Sequence, residues 1–279
     1  MTKNNYKDFS LCMSVYKNDN PQDFITAYKS VTINQTYKPS EVILVIDGPV
    51  PDTLNNTINE LAHLCSIPLI VIRLAENKGH AIARQTAIDA AKYDLIAIMD
   101  SDDIARPNRF EKELDYMRSH PEVDVVGGQI EEFEGTGQHV VSKRFVPLTD
   151  NEIKQFLKSR CPMSFVTIMA KKEIILRVGG IIDWFCEEDY YLWIRMVQNH
   201  CTFANLPDIL VSVRVGDAMY SRRGGWKYFS SERGIQRYML KNKIISLPRY
   251  CYNVLGRFVI QVMMPNKVRG FVFKTIFRK

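Results

Sequence analysis

Residues 98–107 read IMDSDDIARP, so three carboxylates (Asp100, Asp102 and Asp103) fall within four positions, directly after an apolar run. Like charges that close repel one another, and the arrangement needs a reason. One reason is helix capping: aspartate satisfies the free N–H groups at a helix start, here ahead of Pro107, and the helix dipole favours it. The other is a hard divalent ion held by one or two of the carboxylates, with phosphate oxygens and water completing its shell. A cap uses one carboxylate and three are present, which favours the ion. The sequence contains neither GxxxxGKS/T nor GxGxxG, so a carboxylate-held Mn2+ or Mg2+ would have to serve any phosphate-bearing substrate. A second acidic group, Glu187-Glu188-Asp189, opens the segment CEEDYYLWIRMVQ. There the plain reading is acids stabilised at a helix N-terminus.

Positioning such groups requires a rigid frame. Apolar runs FSLCMSV (9–15), EVILVI (41–46), PLIVI (68–72) and YDLIAIM (93–99) read as strands buried on both faces. Helical patterns lie between them at 21–35, 52–65 and 79–92, and another follows at 107–119. Strand and helix in alternation predict a parallel sheet covered on both sides. In such sheets ligands bind beyond the carboxyl ends of the strands. Three strand ends are polar and would converge there: Ser14-Val15-Tyr16, Asp47-Gly48 and Asp100 to Asp103. Residues 131–160 are mixed and polar, with Gly135 and Gly137 marking a loop. FVTIMA (165–170) reads as a strand, 171–178 as a short helix ended by Gly179-Gly180, the segment from Glu187 to about His200 as a helix, and DILVSVRV (208–215) as a strand.

The 279 residues are 46% hydrophobic and 24% charged, enough for one large α/β domain or two small ones with a proper core. Net charge is +6, and the excess is uneven: residues 221–279 hold fourteen Lys or Arg against one acid, Glu232. An anionic partner is implied, whether membrane surface, phosphate-bearing substrate or nucleic acid. The six cysteines show no CxxC pair and no zinc-like spacing to the histidines, which predicts free thiols in a reducing compartment. The N-terminus carries no signal peptide and no apolar run reaches the ~18 residues that span a bilayer. A cytoplasmic protein is expected.

As a set, LCMSVYKND, VILVIDG, ENKGHAIARQTAIDAA, LIAIMDSDD and CEEDYYLWIRM resemble a family 2 glycosyltransferase of the GT-A type, over residues 9–215. The resemblance implies a Rossmann-like, mostly parallel α/β sheet with helices on both faces. It divides the chain into a catalytic domain at 1–220, with a nucleotide-sugar part at about 1–130 and an acceptor part at 131–220, and a helical, basic, amphipathic C-terminal region at 221–279. It also assigns roles. Asp100-Ser101-Asp102 becomes the D-x-D element, with Asp102 the metal ligand, Asp100 facing the sugar nucleotide, and Asp100 and Asp103 further metal candidates. Ser14, Val15, Tyr16 and Asp47 line the base pocket. Asn77, Lys78, Gly79 and Arg84 lie beside the nucleotide. Gly48 stands where the family usually has a second acid. Glu188 and Asp189 match the family's E-D pair, with Asp189 the catalytic base and Glu188 orienting a substrate. Arg214 lacks the histidine that often follows it by two residues, and Arg222 and Arg223 would offer charge to the leaving diphosphate; a solvated basic loop is the alternative.

The activity implied is inverting, non-processive transfer of one sugar, because the Q-x-x-R-W motif and membrane spans of processive synthases are absent. The donor would be a UDP-hexose or UDP-N-acetylhexosamine. The acceptor would be a saccharide on undecaprenyl diphosphate, as in bacterial O-antigen or capsule assembly. Residues 247–279 carry seven Lys or Arg and no acid among Phe, Tyr, Met and Val. That composition suits an anionic membrane at the inner face of the cytoplasmic membrane, or an apolar face packed on the domain. Two rivals remain. A metal-dependent nucleotidyltransferase would need a Gly-rich basic loop that SVYKNDNPQ does not supply. A nucleic-acid-binding protein would leave the convergent acids unexplained, since without a metal they repel phosphates.

Overall fold

The structure, a computed structural model, describes residues 6–135, 139–216 and 224–264. Four parallel strands form one half of the sheet: β1 (Phe9–Val15), β2 (Glu41–Ile46), β3 (Leu69–Arg73) and β4 (Leu95–Met99), in the order β3-β2-β1-β4. Helices α1 (Pro21–Val31), α2 (Asp52–Leu61) and α3 (His80–Ala90) make the crossovers. Every residue of β2 and β4 is buried, which is why these segments read as unbroken apolar runs. The strand period sorts their side chains. Leu44, Ile46, Leu95, Ala97 and Met99 join a core with α1, α2 and α4 (Arg109–Ser119), while Ile43, Val45, Ile96 and Ile98 join the opposite core with α3. β3 departs from expectation: it is the edge strand, and its residues are half-buried or exposed.

Beyond β4 the sheet becomes mixed. The order continues through β8 (Met169–Lys171), β6 (Val125–Glu134), β9 (Phe203–Arg214) and β5 (Ile104–Ala105), with β7 (His139–Arg144) paired to β6. β8 runs antiparallel to β4 and β6, and β9 runs parallel to β6. The segment expected as a strand at 165–170 is instead a 3-10 turn at Phe165–Thr167 followed by the short β8. The mixed, polar stretch 131–160 holds the end of β6, a turn at Gly135, then β7 and α5 (Asp150–Leu157), with Gly137 outside the described residues. Its acids misled the pattern, because Glu131 and Glu132 are buried and bonded to Arg106, Ser142 and Ser212. Gly127 and Gly128 admit Asn205 and Leu210 so closely that a Cβ would lie 2.8 and 2.5 Å from their side chains.

α6 (Lys172–Arg177) and α7 (Glu188–Gln198) complete the second core, with Trp193 and Ile194 fully buried. α8 (Gly225–Lys241) and α9 (Leu247–Phe258), with a π turn at Val259–Met263, close the described chain. α8 packs on the segment ahead of α7: Trp184 Nε1 donates to Ser231 O at 3.2 Å, and Ser231 Oγ donates to Phe185 O at 2.6 Å. Ile235 and Met239 of α8 lie in the core itself.

Candidate active site

The order β3-β2-β1-β4 places a switch point beside β1, and the carboxyl ends of β1, β2 and β4 open on one crevice. Val15 is buried, Ser14 and Tyr16 are half-buried, and the Tyr16 ring stands 6.2 Å from that of His80. Asp47 is buried, and its carboxylate accepts from Asn77 Nδ2 at 2.9 Å, Lys78 N–H at 2.7 Å and Gly79 N–H at 2.9 Å. It therefore fastens the turn that starts α3, with room for one further donor. Gly48 has φ +85, and a Cβ there would lie 2.5 Å from Asn77 N. A second acid cannot stand at that position without displacing the turn, which accounts for the departure seen in the sequence.

Capping does not explain the acidic triplet. The N-cap of α4 is Asn108, and the three aspartates lie ahead of it with separate surroundings. Burial raises the Asp100 carboxyl, and Arg84 beside it more than offsets this, so its pKa falls below the ordinary value. Asp103 is buried and accepts from Arg214 N–H at 2.8 Å; burial and then Asp102 push its pKa well up. Asp102 is exposed at the rim, where the crevice walls and then Asp100 and Asp19 raise its pKa to about 6. Among the described residues no cation pairs with the Asp102 side chain; Arg214 Nε reaches only its carbonyl, at 3.1 Å. Ser101 Oγ donates to Asp19 at 2.8 Å, which brings a fourth acid to the same corner.

No group of three or more His, Cys, Asp or Glu is gathered to hold a metal alone among the described residues. The local charge nevertheless fits one. An accessible carboxylate with no paired cation, among like charges, is a hard oxygen donor that suits Mg2+ or Mn2+ when substrate phosphates and water supply the other ligands.

Arg84 joins the two acidic groups. Its Nη2 donates to Asp100 at 2.7 Å and its Nη1 to Glu188 at 3.1 Å, with the guanidinium 4.9 Å from the centre of the Phe165 ring. Asp100 and Glu188 thereby lie one guanidinium apart, although 88 positions separate them in sequence. Burial and then Asp189 raise the pKa of Glu188, against the pull of Arg84. Asp189, next along the first turn of α7, is half-buried; its Oδ1 accepts Tyr190 N–H at 2.6 Å and its Oδ2 accepts the Cys161 thiol at 3.5 Å. It lines a cavity of about 850 Å3.

Arg214 is tied down: it pairs with Asp23 at 2.8 Å, bonds Gly135 O and stacks on Phe133 at 4.8 Å, bracing the Asp102-Asp103 turn. Arg222 and Arg223, and residues 265–279 of the tail, lie outside the described residues. Asp19 and Cys161 escaped the sequence reading. Asp19 had a trace in KNDNP beside the first strand end, whereas nothing in the neighbourhood of Cys161 marks it. Glu187 is not merely a helix-start acid. It is buried, and burial and then Glu232 push its pKa well up.

A family model described as glycosyl transferase family 2 matches residues 10–182. The chain belongs to that family. This glycosyltransferase is 33% identical over 266 residues to the amylovoran biosynthesis glycosyltransferase AmsE of Erwinia amylovora, covering 95% of this chain and 98% of the relative. It is 33% identical over 272 residues to the UDP-Gal:alpha-D-GlcNAc-diphosphoundecaprenol beta-1,3-galactosyltransferase of Escherichia coli, covering 97% of both. Among solved structures, residues 1–349 of S. aureus TarS in complex with UDP-GlcNAc superpose with a TM-score of 0.65 at 18% identity, over 96% of this chain and 76% of that one. The mannosyltransferase PcManGT from Pyrobaculum calidifontis, in complex with GDP-Man and Mn2+, gives a TM-score of 0.63 at 14% identity, over 95% and 72%. The fold of the glycosyltransferase is of the GT-A type.

Proposed function

We propose that the enzyme moves one sugar, by inverting and non-processive transfer, from a UDP-hexose or UDP-N-acetylhexosamine to a saccharide on a lipid diphosphate, in bacterial surface polysaccharide assembly. The observation that carries this is the Arg84 bridge, which sets the D-x-D corner against the Glu188-Asp189 pair with Asp189 open to the large cavity. The E. coli relative, whose name specifies such an acceptor, supports it over nearly its whole length.

Donor binding falls to the crevice at Ser14 to Tyr16, Asp47 and the 77–79 turn. Asp102 would hold a divalent ion against the donor diphosphate, with Asp100 and Asp103 at its flanks, and that ion would neutralise charge on the departing nucleotide. Asp189 takes the proton of the acceptor hydroxyl as that oxygen attacks the anomeric carbon. The C–O bond to the nucleotide breaks, and the diphosphate leaves with the electron pair. A single displacement converts an α-linked donor to a β-glycoside. Glu188, held by Arg84, orients the substrates beside the base. In this scheme the donor-binding and transfer residues fall within 1–220, and 221–279 add α8 to the core and serve a peripheral position at the inner face of the cytoplasmic membrane. Among the described residues no helix is long and apolar enough to cross a membrane.

The deciding assay is a panel of UDP- and GDP-sugars, with and without an N-acetylhexosamine diphosphate on an alkyl chain. Nucleotide release and product mass are followed, and the anomeric configuration is read by NMR. Acceptor-dependent release of UDP with a β-linked product is the expected result. Release from no nucleotide sugar, or a product of retained configuration, contradicts the proposal.

A further inference from the structure

We infer that the cavity beside Asp189 is the acceptor site, with Arg144, Arg160 and Arg249 set around the acceptor's diphosphate and α9 carrying its apolar chain. The assignment builds on the lipid-diphosphate acceptor proposed above and adds where, and by which side chains, it is held. The cavity has the size of a small-molecule pocket and runs from Asp189 to the inner side of α9 and the π turn. One turn organises it. Arg249 Nη2 donates to Ser159 Oγ at 2.5 Å, and Arg144 Nη2 donates to Cys161 O at 2.9 Å. The Cys161 thiol in turn touches the Asp189 carboxylate. Two guanidiniums are thus moored two residues apart on the segment that contacts the base, and Arg160 lies between those moorings.

The acids of the cavity are accounted for differently. Glu232 pairs with Arg257 at 2.9 Å. Glu187 bonds to Tyr228 in a setting that favours its neutral form. Among the described residues neither Arg144 nor Arg249 pairs with a carboxylate. Guanidiniums without such partners are suited to forked hydrogen bonding with phosphate oxygens.

The polarity of α9 supplies the second half. Asn253 and Gln261 are each only 5% exposed, whereas Leu247, Tyr252, Leu255 and Met263 are 60%, 75%, 65% and 64% exposed. Along α9 and the π turn, Asn253 and Gln261 face inward and these apolar side chains face outward, while Arg249 is exposed and Phe258 packs on Trp226 and Phe229. Asn253 Nδ2 donates to Lys158 O and Gln236 Oε1, both at 2.8 Å, so this orientation is fixed by bonds. An outward apolar stripe of this kind suits lipid. Leu255 and Val259 belong both to the exposed set and to the cavity lining, so an apolar chain leaving the diphosphate passes straight onto the stripe.

The test uses the full chain with a UDP-sugar donor and two acceptors, an N-acetylhexosamine diphosphate on a short alkyl chain and the matching neutral alkyl glycoside. Alkyl diphosphate without sugar serves as a competitive inhibitor. Arg249→Ala and Arg144→Ala should each raise KM for the diphosphate acceptor ~10-fold or more, and weaken inhibition by alkyl diphosphate to match. KM for the donor should stay within about twofold. Arg249→Lys should recover part of the loss, and because Arg249 is exposed its variants report even if Arg144→Ala does not fold. Acceptor KM unchanged in folded variants overturns the site while leaving the proposed function standing. So does loss of anionic-vesicle binding with KM intact, which would assign the arginines to phospholipid headgroups. A wild-type enzyme that ignores the diphosphate acceptor and glycosylates the neutral one overturns the proposed function and this site together.

Discussion

Replacing Arg84 with methionine keeps the apolar stem and removes the charge between two carboxylates. In the native enzyme two charge-assisted hydrogen bonds meet there, at 2.7 Å to Asp100 and 3.1 Å to Glu188. Each such bond contributes about 1.5–3 kcal/mol. The Asp100 side chain is 33% exposed and Glu188 17%, so solvent screens part of this and about 2–4 kcal/mol is a reasonable loss. For a protein of this size that corresponds to a fall of roughly 3–7 °C in Tm. The pH dependence distinguishes the cause. Asp100 has a folded pKa below its unfolded value, so its contribution is present above the ordinary carboxylate pKa and is lost as pH falls through the folded one. The gap in Tm between wild type and Arg84→Met should therefore be widest near pH 7 and narrow below about pH 4. Arg84→Lys restores charge but cannot fork between two carboxylates, and should recover stability better than turnover. Thermal unfolding at the two pH values, with turnover at pH 7, measures all of this. Equal gaps at both pH values would show that Arg84 acts through packing on Phe165, and the electrostatic bridge would have to be abandoned.

Chelation by EDTA should abolish transfer and Mn2+ or Mg2+ restore it, with Asp102→Ala folded but nearly inactive; full activity in chelator contradicts a metal at Asp102. Asp189→Asn keeps the helix start yet cannot accept a proton, so turnover should drop by about a hundredfold or more while donor binding, read by calorimetry with UDP, is kept. Buried Glu113, bonded to Arg109 Nε at 3.1 Å, has its pKa raised to about 7 chiefly by burial. The native state then holds a proton that the unfolded chain releases above its ordinary value, so this group costs stability as pH rises from about 4.5 to 7, on the order of 3 kcal/mol. Glu113→Gln should flatten that limb in urea titrations across the range. Vesicle co-sedimentation should show binding to anionic lipid that weakens with salt, each basic residue near the surface contributing about 1 kcal/mol. The double variant Leu247→Ser, Met263→Ser should weaken it further at high salt, where only the apolar contribution survives; identical binding by both proteins would remove α9 from the contact.

The parallel half of the sheet was legible because parallel strands covered on both faces leave continuous apolar runs, as in EVILVI and LIAIM. Polar residues at the strand ends then mark the crevice without further information. The mixed half of the sheet was harder to read for a physical reason. β6 buries Glu131 and Glu132 by bonding them to partners far along the chain, and a window of sequence cannot see such partners. The same holds within the site. The Asp102 side chain has no paired cation among the described residues, whereas Asp47 and Arg214 also hold turns in place, a second duty that their motifs did not mark. Pairing, rather than residue type, separates a group available for a substrate from one spent on the frame.

The C-terminal region carries this distinction furthest. In residues 247–279 the mixture of aromatic, aliphatic and basic residues was equally consistent with a helix packed on the domain and with one laid on a membrane. The described helices turn their apolar side chains in different directions. α8 does pack, sending Ile235 and Met239 into the core and setting Gly234 against Trp184, where a Cβ would come within 2.9 Å of the ring. α9 does the reverse, and no periodicity count reveals it, because an apolar stripe has the same spacing whether it faces inward or outward. The direction is set by Asn253, Arg249 and Arg257, whose side chains bond the 158–160 turn and α8. Each such bond contributes about 0.5–3 kcal/mol, and Asn253, which is buried, would be left without partners if its bonds were lost in place. The apolar stripe is left outside as a consequence, next to a cavity that ends at Asp189.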